Sequence, residues 1–340
     1  MAPSRKASHA GSWYSSSPSQ LRTQLTSWLS AVPTTLPSPL SVCQPSPSSS
    51  PLTLPIPGSR AIIAPHAGYS YSGPAAAYAY STIDTSTIST VFILGPSHHV
   101  YLDGCALTAC HSYETPLGHL PVDRALTAEL AATGKFSTMT QQEDEDEHSL
   151  ELHLPYIRHV FPSHIKIVPI LVGAINTAKE QEYGKVLAKY LADEKCFFVV
   201  SSDFCHWGSR FRYTLYRPIS GPPISLTSRN AREATQGKEI HQSIRELDEA
   251  GILAITHPSC PAGEKTAEQA RVEFAAYLRE TKNTVCGRHP IGVLLAALAE
   301  LERAGTATEC RFTRYEQSSA CLSVADSSVS YASAFVRVRE

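Results

Sequence analysis

The sequence predicts an α/β fold, a single domain in which a mixed β-sheet is flanked by helices. Three observations carry this. Short apolar runs of the kind buried on both faces interleave with segments of helical periodicity. Two C-terminal runs, Cys310–Tyr315 and Val329–Val338, alternate like an antiparallel pair, so the sheet is mixed rather than wholly parallel. The chain has 340 residues, enough to bury about three quarters of its unfolded surface, so its core needs no disulfide or metal.

Along the chain, Ser17-Pro18-Ser19-Gln20 forms a capping box with Pro at the first helical position, and Leu21, Leu25, Trp28 and Leu29 then make one apolar stripe. Residues 32–58 are Pro, Ser and Thr with little else, a composition that reads as an extended surface insertion. Apolar strands come next at Arg60–Ala64 and Thr90–Leu94. Asp123 opens a helix that Gly134 closes. The acidic run Glu143–Glu147 reads as a solvated helix entry. A strand at Ile165–Val172 precedes a helix capped by Thr177 with Glu180, carrying Tyr183, Leu187, Tyr190 and Leu191. Cys196–Val200 is a further strand, and Arg217–Gly237 an irregular Pro-rich loop. Helices at Thr266–Glu280 and Ile291–Arg303 complete the set. No internal repeat is visible.

Composition narrows the function. Twenty-nine Lys and Arg against 31 Asp and Glu leave a net charge of −2, with no basic and aromatic interleaving, so no nucleic-acid partner is expected. The longest near-apolar stretch, Ile291–Ala299, falls far short of the roughly 20 residues a membrane span needs, so no membrane insertion is expected. Arg5 and Lys6 precede no apolar secretory core, and nine cysteines is an odd number. An intracellular protein with free, mostly buried thiols is the natural reading, and Cys105 with Cys110 reads as core rather than disulfide.

The chemistry sits in the polar segments at the strand ends. Ile62-Ile63 leads to Pro65-His66-Ala67-Gly68, Ile93-Leu94 to Gly95-Pro96-Ser97-His98-His99, and Val199-Val200 to Ser201-Ser202-Asp203-Phe204-Cys205-His206. In open α/β sheets ligands bind outside the carboxyl ends of the strands, so three such endings bring histidines to one crevice. Cys286-Gly287-Arg288-His289 precedes the Ile291 helix and closes it from another side. Imidazole and thiolate are ligands that zinc, copper and iron accept, and a helix start lowers the pKa of a thiol. The spacing is not that of a structural zinc finger. A shared metal or catalytic site is the expectation, with Arg288 helping to make Cys286 the reactive thiol. Trp207 is either a pocket wall or plain packing.

These strings, with Ala7-Ser8-His9-Ala10-Gly11-Ser12-Trp13-Tyr14, the acidic run to Glu151 and Gln317-Ser318-Ser319, resemble the Memo family (mediator of ErbB2-driven cell motility) from about Ala7 to Val336. The resemblance implies a fold similar to the class III non-haem iron extradiol dioxygenases, the LigB-like architecture. It implies that His66, His98 and Cys286 are metal ligands, with copper or iron as the ion. Asp203 and His206 would line the same pocket, His206 in the place of the dioxygenases' acid/base histidine. Trp13 and Tyr71 match aromatic residues tied to phosphotyrosine-peptide binding in animal relatives, and His99 joins that pocket.

The leading expectation is a cytoplasmic metal-binding redox protein, with the nucleus as a second location and signalling, cytoskeletal or cell-motility control as its setting. The alternative is a non-catalytic adaptor that holds a phosphotyrosine-containing peptide or signalling protein in the same pocket. A working extradiol dioxygenase ranks below both. Those enzymes hold iron with two histidines and a carboxylate, and Cys286 stands where the carboxylate would be.

Overall fold

The computed structural model describes residues 3–36, 51–257 and 265–339. Its centre is a nine-stranded mixed sheet: β1 (Ser59–Ala64), β2 (Thr90–Pro96), β3 (Cys105–Leu107), β4 (Phe136–Thr138), β5 (Lys166–Val172), β6 (Cys196–Ser201), β7 (Asp203–Trp207), β8 (Ala307–Gln317) and β9 (Ser328–Arg339). The order is β7-β9-β1-β6-β2-β5-β3-β4, with β8 also paired to β9. Strands β1, β6, β2 and β5 run parallel, whereas β9 is antiparallel to β1, β7 and β8. The mixed sheet expected from the sequence is therefore present.

The apolar runs are strands because both of their faces are covered. Ala61, Ile63, Phe92, Leu94, Phe198 and Val200 point into one core. That core is completed by the helices α4 (Thr177–Ala192), α5 (Ile240–Ile255), α6 (Ala267–Thr281) and α7 (Arg288–Arg303). The alternate residues Ile62, Ala64, Val91, Ile93, Phe197 and Val199 point into a second core, under α1 (Pro18–Ser30), α2 (Tyr69–Tyr80) and α3 (Leu154–Val160). Side chains alternate along a strand, so a run apolar at every position is what a three-layer sandwich needs.

Helix starts obey local chemistry. Ser17 caps α1, its side chain accepting from Gln20 N. Asn176, one residue before the expected Thr177, caps α4. The last long helix starts at Arg288 rather than Ile291, so its first turn abuts Cys286. Helix α2 is not visible in the sequence, since Gly73 and Pro74 lie inside it. Tertiary packing overrides that weak propensity: Trp28 lies against Gly73, and Ser333 Oγ donates to Ala75 O at 2.7 Å.

Residues 37–50 of the Pro/Ser-rich segment, and Cys43 and Cys260, lie outside the described residues. Within its described ends Thr35–Leu36 pairs antiparallel with Leu52–Thr53, and Leu36 and Ile56 are buried. The 217–237 stretch holds a strand at Ile224–Ser225, paired with Leu215–Tyr216, and a short helix at Ala231–Ala234. Trp207 is fully buried among Tyr213, Tyr216 and Leu226, and so is packing rather than a pocket wall. No helix among the described residues is long and apolar enough to cross a membrane.

Candidate metal centre

The parallel strands end side by side, and the segments leaving them converge. His66 lies two residues beyond β1, and His98 two beyond β2. Cys286 reaches the same point from the residues before α7. One donor atom from each of the three falls within 4.8 Å of the others. Cys286 Sγ is 3.2 Å from His66 Nε2.

Hydrogen bonds set the tautomers. Ser201 Oγ donates to Ser149 O at 2.8 Å, and a carbonyl can only accept. The contact at 2.6 Å between Ser201 Oγ and His66 Nδ1 therefore has the imidazole as donor, which leaves Nε2 with its lone pair facing Cys286. His98 Nδ1 lies 2.9 Å from Glu147 Oε1 and donates to that carboxylate, freeing its own Nε2. Glu147 also accepts from His98 N at 2.7 Å and Ser149 N at 2.8 Å. Burial pushes the Glu147 carboxyl up, but these donors and the adjacent imidazoles outweigh it and hold it at about 2. Burial, reinforced by neighbouring histidines, keeps His66 well below the ordinary imidazole range, and His148 at about 3. Both rings are therefore neutral at neutral pH.

Cys286 is set by backbone. Its Sγ accepts from Asp203 N at 3.2 Å, and Gly287 N donates to Ser202 Oγ at 3.1 Å. A Cβ at residue 287 would stand 2.3 Å from Ser202 Cβ and 2.4 Å from Ser201 O, so only glycine lets the helix start approach the end of β6. The expectation of an acidified thiol is corrected. Burial, then the Asp203 charge, push Cys286 well above its ordinary value. The Asp203 and Gly287 amides and Arg288 oppose this but do not overcome it.

Asp203 is buried and accepts from His66 N at 2.9 Å, and burial raises its carboxyl. His206 faces carbonyls through Nδ1, Phe204 O at 2.9 Å and Thr284 O at 3.1 Å, so Nε2 is its free nitrogen. Trp13, 37% exposed, lies over His148 with ring centres 4.5 Å apart. His148 stacks on His98 at 4.3 Å, and His98 meets His66 at 5.2 Å. His99 reaches the edge of His148 at 6.0 Å, while Tyr71, 58% exposed in the first turn of α2, stands outside this ring series. His289 does not join the centre; its Nδ1 is bound to Glu180 at 2.8 Å.

The acidic run opens a short helix, Gln141–Asp146, as expected, but it is only partly solvated. Asp146 is exposed and Glu143 and Glu145 are half-buried, whereas two members turn inward. Asp144 and Glu147 are both about 1% exposed. Asp144 binds Arg5 Nε at 3.2 Å and Tyr113 Oη at 2.6 Å. Glu151, also buried, accepts from Arg5 Nη1 at 2.6 Å, His9 N at 2.9 Å and Tyr14 Oη at 2.7 Å. Glu147, His148, Ser201 and Glu151 are the residues that sequence reasoning missed. Asp144 lies in a short helix, Gln141–Asp146, and Glu151 in the next, His148–Glu151, with Glu147 extended between them, so no single helical face marks the three in the sequence. His98, Glu147 and His148 also offer three donors within 4.8 Å, but there Glu147 already holds the Nδ1 side of His98. The carboxylate is better suited to orienting His98 than to binding an ion itself.

The chain is similar to known proteins over most of its length. The sequence model of a family described as Memo-like protein matches residues 5–335. The Protein MEMO1 of Xenopus laevis is 48% identical over 331 residues, covering 96% of this chain and 95% of that protein. The Homo sapiens Protein MEMO1 is 46% identical over 337 residues, covering 98% and 97%. The Caenorhabditis elegans Protein memo-1 homolog is 41% identical over 331 residues, covering 97% and 81%. A solved structure of an uncharacterized Escherichia coli K12 protein is 16% identical, covering 81% of this chain and 99% of that one, at a TM-score of 0.45.

Proposed function

The chain belongs to the Memo family, and on that premise we propose that it is a cytoplasmic metal-binding redox protein whose ion is held by His66, His98 and Cys286. The observation that supports this most is the convergence of the three donors within 4.8 Å, two of them imidazole nitrogens freed by buried hydrogen bonds on the far side of each ring. Two imidazoles and one sulfur suit copper or iron better than the hard cations. Such an ion supplies one-electron chemistry when bound.

The protein's own contribution is placement. Ser201 and Glu147 fix the two rings, and Gly287 seats the sulfur. The Cys286 proton has His66 Nε2 as its nearest acceptor in the metal-free site, so ion uptake displaces a proton and strengthens as pH rises. Asp203 and the free Nε2 of His206 are suited to carry that proton outwards. Anaerobic titration with Cu(I) and with Fe(II), comparing the native protein with Cys286→Ser, tests the reading. Weaker binding in the variant is expected, and equal affinity removes the thiol from the site.

One observation favours a second reading. Trp13 is 37% exposed against the His148 ring, which suits an aromatic side chain entering beside the histidines. A phosphotyrosine peptide that binds metal-free protein, with no change on adding chelator, would support an adaptor in signalling or motility control over a redox protein.

A further inference from the structure

Beside the candidate metal centre, α6 forms one wall of a cleft of about 600 Å³. Arg271, Phe274, Leu278 and Lys282 recur on one face of that helix and its cap, and the start of α4 and the first turn of α7 make the opposite wall. Ile175, Phe274, Ala275 and Leu278 give it an apolar floor. The volume lies in the range of small-molecule sites.

The charge at its mouth is unbalanced. The carboxylate lining the cleft, Glu180, is held by His289 at 2.8 Å and sets one negative charge against the cations there, while Arg271 is bound by Glu268 at 2.6 Å. Arg279, Lys282 and Arg288 also line the cleft and form no ion pair among the described residues. Arg288 has only a long contact, 3.5 Å, to Val285 O. An apolar floor beneath three unpaired cations complements a ligand with an apolar body and an anionic head, for which several cations favour a dianion.

We propose that this cleft binds a small amphipathic phosphate monoester, its alkyl or aryl body on Phe274 and Leu278 and its phosphate between Arg279, Lys282 and Arg288. The proposal stands apart from the metal reading. The two sites are neighbours: Thr284, Arg288 and His289 line the cleft and flank Cys286 along the chain, and Thr284 Oγ1 accepts from His206 N at 2.7 Å.

Calorimetric titration of hexyl phosphate into chelator-treated, full-length protein tests this. One equivalent should bind, roughly tenfold or more tighter than either inorganic phosphate or hexanol alone, since head and body are both engaged. Arg279→Glu with Lys282→Asn should weaken binding by about tenfold or more, Asn being chosen because residue 282 is left-handed (φ 53°). His66→Ala should leave binding unchanged. If the double variant loses its fold by circular dichroism, Arg279→Gln alone is read in the same way. No binding at millimolar hexyl phosphate overturns the proposal, as does unchanged affinity in the folded charge variant. Loss of binding in His66→Ala would place the ligand in the histidine pocket and overturn it too.

Discussion

Replacing Glu147 by Gln keeps the volume of a buried side chain but removes a charge that three N–H groups share. Oε1 accepts from His98 Nδ1 and Ser149 N, and Oε2 from His98 N. A carboxamide has one oxygen, so whichever way it turns its NH₂ meets a donor. The carboxyl sits at about 2 in the folded protein against an ordinary 4.5, a displacement worth about 3 kcal/mol at 1.36 kcal/mol per pH unit. Counting about 1 kcal/mol of charge assistance for each of the three bonds gives the same size. Urea unfolding at pH 7 should therefore show Glu147→Gln about 3 kcal/mol less stable. The folded carboxyl is depressed, so this stability is present above pH 4.5 and fades as pH falls towards 2. The gap between native protein and variant should shrink to under about half near pH 3. Metal affinity should fall about 10–100-fold, since His98 loses the partner that fixes its ring. A gap below about 1 kcal/mol at pH 7, or one that persists unchanged in acid, would refute the reasoning.

Four further outcomes are expected. Ser201→Ala should weaken metal binding about 10–100-fold while leaving the thiol accessible, measurable by competition with a chromophoric chelator. Gly287→Ala should cost about 1–3 kcal/mol or more in urea unfolding and weaken metal binding as well, because the added carbon meets Ser201 and Ser202. Arg5→Met should cost about 3–5 kcal/mol, leaving Asp144 and Glu151 buried without their cation, and a midpoint shift within error would count against that buried network. Cys286 in metal-free protein should alkylate more slowly at pH 7 than a free thiol and speed up with rising pH, because its proton is held more tightly; mass-spectrometric labelling that shows it faster than a model thiol would contradict the burial argument.

The central strands are legible because burial on both faces writes a continuous apolar run, and their polar endings mark the crevice. His66 and His98 stand out for that reason, and Cys286 because it precedes a periodic helix. Glu147 and Asp144 do not, because a run of five acids carries no mark of which members turn inward. Their direction depends on Arg5 and His98, which are 139 and 49 positions away. The thiol's charge state escapes the sequence for a related reason. Arg288 and a helix start are visible there, whereas the desolvation that outweighs them exists only once β6 and α7 have closed over the sulfur.

His66 and Cys286 touch although 220 residues separate them along the chain. No partly folded species that lacks either the β1 end or the α7 start can offer the pair to an ion. On the metal reading proposed above, ion binding at this pair would favour finished over unfinished molecules, by up to about 2.7 kcal/mol when free ion stands at 100 times its dissociation constant. Closing so distant a contact is slow compared with forming helices. An ion held by this pair would therefore enter after the fold is complete, and its occupancy would report how much of the protein is intact.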